Sequence, residues 1–395
     1  MGSNPQSLLL RNVRAVLPER LVDATNVFIE QGTIARITEG AAQYRGTDCA
    51  TIDLDGVTLF PGFIDVHIHG AVGVDTMAAD QPDLERVSRF LASKGVTGWL
   101  PTLVPATTAD YRGAIQAIAG AMSSATGARI LGVHYEGPFV NSHQCGALRS
   151  QFFRSFSTAT ELDDLPVLRQ AARHMITVAP EIDGGLELVR ELHARGWIVS
   201  IGHTRASFEL LEEAYAAGAR HMTHFMNAMA PLHHRSAGPV GWGLLRDDVT
   251  CDLIADGIHL DREMLRLLLK SKGADRLSLI SDAVAAAGMG DGDYEIWGET
   301  ITVKDGRTAN ERGAIAGSVI TMLDAVRMML SLGATETDVA MMAAGNPAKL
   351  LGIDDERGSI AAGKRADLVA LDAKGNVALT IVGGEIVFDP VKRME

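Results

Sequence analysis

Residues 59–70, LFPGFIDVHIHG, run from an apolar, β-branched segment into two histidines spaced two apart. Alternate side chains of an extended strand share a face, so His67 and His69 point to the same side. A strand tip of this kind carries either metal ligands or hydrogen-bonded polar ends, and the pair by itself does not choose between them. The remainder of the chain supplies the context.

Seven further apolar runs follow: TGWLPTL (97–103), ARILGVHYE (128–136), HMITVAP (174–180), WIVSIGH (197–203), HMTHF (221–225), TCDLIAD (250–256) and RLSLISD (276–282). Between them lie amphipathic helical segments such as DLERVSRFLASKG (83–95) and GLELVRELHARG (185–196). Eight strands alternating with helices are the pattern of a (β/α)8, TIM-like barrel, here expected over 59–350. Short β-rich runs occupy 1–58 and return in 351–395, which suggests that both termini build one small β-sandwich domain. One segment breaks the alternation: residues 284–312 read as a glycine-rich loop and a hairpin with Asp305-Gly306 at its turn. Its GMGDGD lacks the spacing and the strand-to-helix context of a nucleotide loop, so a rim hairpin or lid is expected.

Catalytic groups of such barrels sit at the C-terminal ends of the strands. His67 and His69 end the first strand, Glu136 the third, His203 the fifth, His224 the sixth and Asp282 the eighth. Four imidazoles and two carboxylates at one mouth are costly to desolvate without a cation, and they are ligands for zinc and related divalent ions. One ion would use His67, His69, Glu136 and Asp282, and a second Glu136, His203 and His224. His134 shares a face with Glu136 and is expected to support the ligands. His143, His174, His193 and His221 read as solvent-exposed or structural, and His233 and His234 as either pocket-lining or bystanders.

Composition narrows the classes. Asp+Glu 49 against Lys+Arg 36 gives a net charge of -13, which disfavours nucleic acid and anionic lipid as partners. Three widely spaced cysteines, with no CxxC pair, indicate neither a disulfide framework nor a cysteine zinc site and fit a cytoplasmic protein. No apolar run reaches the roughly 18 residues that a membrane span needs.

The segments PGFIDVHIHG, HYEGPF, GHT, THFMNAM, DGIH, SDA, AGS and NPAKLLG…GSIAAGKRADLV occur in the order seen in the amidohydrolase superfamily. Within it the chain most resembles the N-acetylglucosamine-6-phosphate deacetylase family, over nearly its whole length. The resemblance implies a metal-dependent hydrolase that removes acetate from an amino-sugar phosphate, with zinc the expected ion and iron, manganese or cobalt as alternatives. It assigns metal binding to Glu136, His203 and His224, acid/base catalysis to Asp282, and a second metal to His67 and His69. It places Ala147, Asn227, Ala228, His259, Ala316 and Gly317 against the sugar or its phosphate, with His259 a hydrogen-bond donor to the oxyanion. Arg235 resembles an arginine that reaches the phosphate in a neighbouring subunit, which implies a homodimer.

Two stretches depart from that pattern. HHRSAG (233–238) keeps Arg235 but not the Glu-Pro that commonly follows, and GALRS (146–150) puts Leu148 and Arg149 where a histidine is common. Arg149 is therefore either a replacement phosphate contact or a solvated loop arginine. The alternatives are an amidohydrolase acting on N-acetylgalactosamine 6-phosphate, an unphosphorylated amino sugar or another N-acyl substrate, and, more remotely, a non-catalytic scaffold.

Overall fold

The computed structural model describes residues 7–40, 49–123, 127–169 and 172–391. Its centre is a ring of eight parallel strands: Phe63–Ile68, Val96–Leu103, Gly132–Glu136, Arg173–Val178, Ile198–Ile201, His221–Met222, Thr250–Ile254 and Leu277–Ile280. All eight of the apolar runs read from the sequence fall on these strands. The ring closes where the last strand meets the first: Asp282 N donates to His67 O at 2.9 Å and His69 N to Ala283 O at 2.8 Å. These closing bonds join the two strand ends that carry ligand-type residues, so barrel closure itself sets their spacing.

The helices begin where the sequence caps them. Asp80 accepts from Asp83 N at 2.9 Å to start Gln81–Ala92, and Thr107 accepts from Asp110 N at 3.2 Å to start Thr108–Met122. Each such cap contributes about 1 kcal/mol. Leu84, Val87 and Leu91 then form a stripe at helical spacing that is buried in one cluster with Val96 and Trp99 of the second strand.

Both ends of the chain share one eight-stranded sheet. Its seam is the antiparallel pairing of Leu368–Leu371 with Thr58–Pro61, Val369 opposite Phe60. The sheet curls until the edge strand Thr33–Glu39 meets the segment leading into Leu368–Leu371, as Ile34 N donates to Lys364 O and Ala366 N to Gly32 O. Gly32, at φ +79, lies so close to the turn at Gly383 that a Cβ would stand 2.7 Å from its carbonyl oxygen. Leu10, Val27, Ile34, Leu59, Leu368 and Ile381 fill the core inside this curl. Thr58–Pro61 runs in the sheet and the first barrel strand starts at Phe63, so the chain passes from one to the other at Gly62.

The expected hairpin after the eighth strand is a three-stranded meander, Gly292–Ile296, Glu299–Lys304 and Arg307–Ala309. Asp305-Gly306 does form one turn, and Trp297-Gly298 forms another, with φ of 56° and 75°. Only the glycine half of that second turn carries the usual sequence signal, because a bulky residue rarely adopts positive φ. Ile296, Ile301 and Val303 pack with Val284 and Ala316 and fix the meander to the barrel rim. No helix among the described residues is long and apolar enough to cross a membrane.

Candidate active site

The barrel mouth gathers the six ligand-type side chains. His67 and His69, fully or almost fully buried, bring their Nε2 atoms within 3.1 Å of one another. Asp282 Oδ1 stands 3.4 Å from His67 Nε2 and 3.3 Å from His69 Nε2. Glu136 divides its carboxylate. Oε1 lies 2.9 Å from both His203 Nε2 and His224 Nε2, and Oε2 lies 3.3 Å from His69 Nε2.

A repeated backbone device aims three of these residues. His203, His224 and Asp282 each stand two positions beyond the last residue of their strand, and each has positive φ, 46°, 30° and 49°. Left-handed backbone costs a non-glycine residue about 1–2 kcal/mol. The fold bears that cost three times at one mouth, which marks the arrangement as functional rather than incidental.

The donor set fits a divalent cation. Ligand atoms of His67, His69 and Asp282, and separately those of His67, Glu136 and His224, lie within 4.8 Å of one another. His203 Nδ1 lies 2.7 Å from Gln144 O, a contact only an N–H can make, so the neutral ring turns an Nε2 lone pair toward the Glu136 oxygen. Two lone pairs facing at 2.9 Å repel unless a proton or a metal ion stands with them. His134, beneath His67, spends both nitrogens elsewhere: Nδ1 faces Val66 O at 3.0 Å and Nε2 the Thr177 hydroxyl at 2.8 Å. Burial and the His67 ring hold it well below the usual histidine range, so it stays neutral.

Charge at the mouth is set by the same contacts. Burial works against the charged forms of both carboxyls, but the His67 ring, with His69 at Asp282 and His203 and His224 at Glu136, outweighs it. Both are held well below the ordinary carboxylate range. Burial likewise opposes a charged His69, yet hydrogen bonds to Asp282 and Glu136 raise it to about 10. In metal-free protein at neutral pH, His69 therefore carries a proton that an incoming ion must displace. Metal affinity should rise with pH up to about 10 and weaken toward acid, by up to about ten-fold per unit for each proton displaced. Zinc titrations between pH 6 and 9, run in buffers of different ionisation heat, should show proton release; a flat profile would remove this coupling.

Above these side chains lies a cavity of about 250 Å³, lined by His69, Glu136, His203, His224 and Asp282 together with Ala147, Asn227, Ala228, His259 and Gly317. Of the residues that the resemblance assigns to the site, all but Ala316 and Arg235 line this cavity or, like His67, contact side chains that do. Ala316 is fully buried in the apolar cluster under the meander, its N–H given to the Thr308 hydroxyl, and does not face the cavity. Arg235 sits on an exposed loop away from the lining, as do His233 and His234. Arg149 stacks on Phe152 at 4.7 Å and lines a neighbouring cavity instead. His143 and His193 are exposed, His174 accepts from Leu168 N at 2.9 Å, and His221 pairs with Asp252 at 2.8 Å inside the barrel, as expected of bystanders.

Trp297, Ile315 and Asp256 also belong to the site, and none of them carries a strong functional signal in the sequence. Trp297 lines the cavity and meets His69 edge to face at 5.1 Å. Ile315 forms part of the same wall. Asp256 accepts from His259 Nδ1 at 2.7 Å and from the His259 backbone N–H at 2.8 Å. With Nδ1 spent there, His259 Nε2 can donate only when the ring is doubly protonated, and Asp256 is the counter-charge for that form. The aspartate of DGIH, three residues before the histidine, was the available clue.

Comparison with known proteins agrees with this geometry. Residues 58–387 match the model of the amidohydrolase family. The chain is 38% identical to an N-acetylglucosamine-6-phosphate deacetylase of Bacillus subtilis over 97% of this chain and 98% of that one. It is 35% identical to an N-acetylgalactosamine-6-phosphate deacetylase of Escherichia coli O157:H7, over 96% and 98%. The crystal structure of the Thermotoga maritima N-acetylglucosamine-6-phosphate deacetylase superposes with a TM-score of 0.86 at 37% identity, covering 96% of this chain and 99% of that one. A closed barrel with histidines and carboxylates converging at its mouth, and full-length likeness to these enzymes, place the chain in the amidohydrolase family.

Proposed function

We propose that this protein hydrolyses the acetamide of N-acetyl-D-glucosamine 6-phosphate to D-glucosamine 6-phosphate and acetate. The observation that carries the reading is the convergence of His67, His69, Glu136, His203, His224 and Asp282 at the floor of the cavity, in a chain alike end to end to enzymes of that name. Glu136, His203 and His224 would hold one divalent ion and His67 and His69 a second, with zinc the ion best suited to this histidine-rich set. Such an ion, when bound, supplies Lewis acidity toward water and the amide carbonyl.

The chain's own residues do the rest. Asp282 is ionised, the form a proton acceptor needs, and it faces the cavity where a reacting water would lie. It takes the water's proton and returns it to the amide nitrogen, since an amine leaves far more readily once protonated. His259, held by Asp256 at Nδ1, turns Nε2 toward the developing oxyanion, and a hydrogen bond donated there contributes about 2–4 kcal/mol. Asn227, Ala147, Ala228 and Gly317 orient the sugar.

A second reading has a specific observation in its favour, the likeness to the N-acetylgalactosamine-6-phosphate enzyme. One experiment treats both: acetate release measured on each sugar phosphate and on free N-acetylglucosamine, with metal content determined on the same protein. The glucosamine phosphate should be turned over with the highest kcat/KM; preference for either of the others overturns the substrate assignment. The exposed loop carrying Arg235 supports a homodimer in which that guanidinium reaches a partner's phosphate, and a monomer in sedimentation would remove it. Three free cysteines support a cytoplasmic location, which cell fractionation tests.

A further inference from the structure

Trp297 stands between two cavities. On one side is the catalytic pocket of about 250 Å³; on the other is a space of about 520 Å³ with a mixed wall, Val74, Met77 and Ala106 standing beside charged Asp75, Arg149 and Glu295. Among the described residues, Trp297 alone lines both. The indole is also continuous with apolar packing, since Trp297 and Met77 press on the same cluster of Val104, Val140 and Leu148. Leu148 in turn lines the catalytic pocket.

The placement of this ring is maintained against its own backbone preference. Trp297 occupies a turn position at φ 56°, where glycine or asparagine is the unstrained choice. The meander that carries it is tied to the rim, with Thr308 Oγ1 donating to Gly317 O at 2.6 Å and Arg312 to Ala147 O at 3.3 Å. The ring is thereby held 5.1 Å from His69, beside the groups that must surround the amide carbonyl.

We propose that Trp297 is the wall that sets the length of the acyl group, admitting acetyl and excluding longer chains. The proposal rests on the amide-hydrolysis reading above. The reaction is unchanged, one water consumed, the C–N bond broken, carboxylate and amine released; only the acyl substituent varies. An acyl methyl is the substrate's apolar end and packs on the apolar wall of Trp297, Leu148 and Ile315. Each added methylene must then enter space the indole fills, whereas without the indole it extends toward Val74, Met77 and Ala106.

The test compares Trp297→Ala and Trp297→Phe with wild type on N-acetyl, N-propionyl and N-butyryl glucosamine 6-phosphate. Wild type should lose about 10-fold or more in kcat/KM per methylene. Trp297→Ala should raise the butyryl-to-acetyl ratio by at least about 30-fold, with Trp297→Phe between them and sufficient by itself should the alanine variant not fold. A second arm measures binding of alkyl hydroxamates, from acetyl to hexanoyl, to the metal-loaded proteins. Affinity should stay flat or fall with length in wild type and rise about 10-fold in Trp297→Ala. Unchanged length profiles in both arms, with wild-type metal content and far-ultraviolet circular dichroism, overturn the proposal. A wild type inactive on every sugar phosphate, yet showing the hydroxamate cut-off and its release in the variant, supports the wall and rejects the substrate.

Discussion

Replacing Asp282 with asparagine is expected to lower kcat about 10³-fold while KM changes by less than about three-fold. The substitution keeps shape and volume and removes the one feature that the chemistry requires, a carboxylate able to take and return a proton. Asp282 is suited to that exchange by position. Its backbone is fixed by a bond from its N–H to His67 O and by Ser318 N donating to its carbonyl at 2.7 Å, so the carboxyl has little freedom to leave the mouth. Its Oδ1 also touches both histidines of the first strand. A loss caused only by a weakened metal site would appear as reduced metal content and would be restored by excess zinc. Undiminished turnover in protein with full metal would remove Asp282 as the acid/base.

The parts of this molecule that could be read from sequence are those governed by periodicity or by position along a strand. Eight apolar runs locate the barrel strands, and a polar residue just past the end of such a run points to the mouth, which is how Glu136, His203, His224 and Asp282 were found. Loops obey neither rule. Ala316 and Gly317 are neighbours in one loop, yet one side chain is buried among apolar residues and the other position faces the cavity. Trp297 is silent for a related reason: its placement depends on a strained turn, and nothing in the hairpin sequence marks positive φ at a tryptophan. The tautomer of His203, fixed by the carbonyl of Gln144 from a separate loop, has no local signature whatever.

The same contrast separates ligands that differ in what they join. Glu136→Gln is expected to strip the protein of metal, to below about 0.1 ion per subunit, and to lower activity by about 10⁴-fold. Glutamine is nearly isosteric with glutamate, so the loss reports charge and donor type rather than shape. Glu136 is the group that reaches both halves of the site, Oε1 toward His203 and His224 and Oε2 toward His69, and its loss weakens each half at once. The double variant His67→Ala/His69→Ala removes two ligand-type side chains instead of one, yet should do less. It leaves Glu136 Oε1 2.9 Å from both His203 Nε2 and His224 Nε2, enough donors for one ion, so metal content should fall by half and activity should remain measurable. If the double variant binds no metal, or Glu136→Gln keeps it, Glu136 is not the shared ligand, and the division of the mouth into two ion sites fails with it.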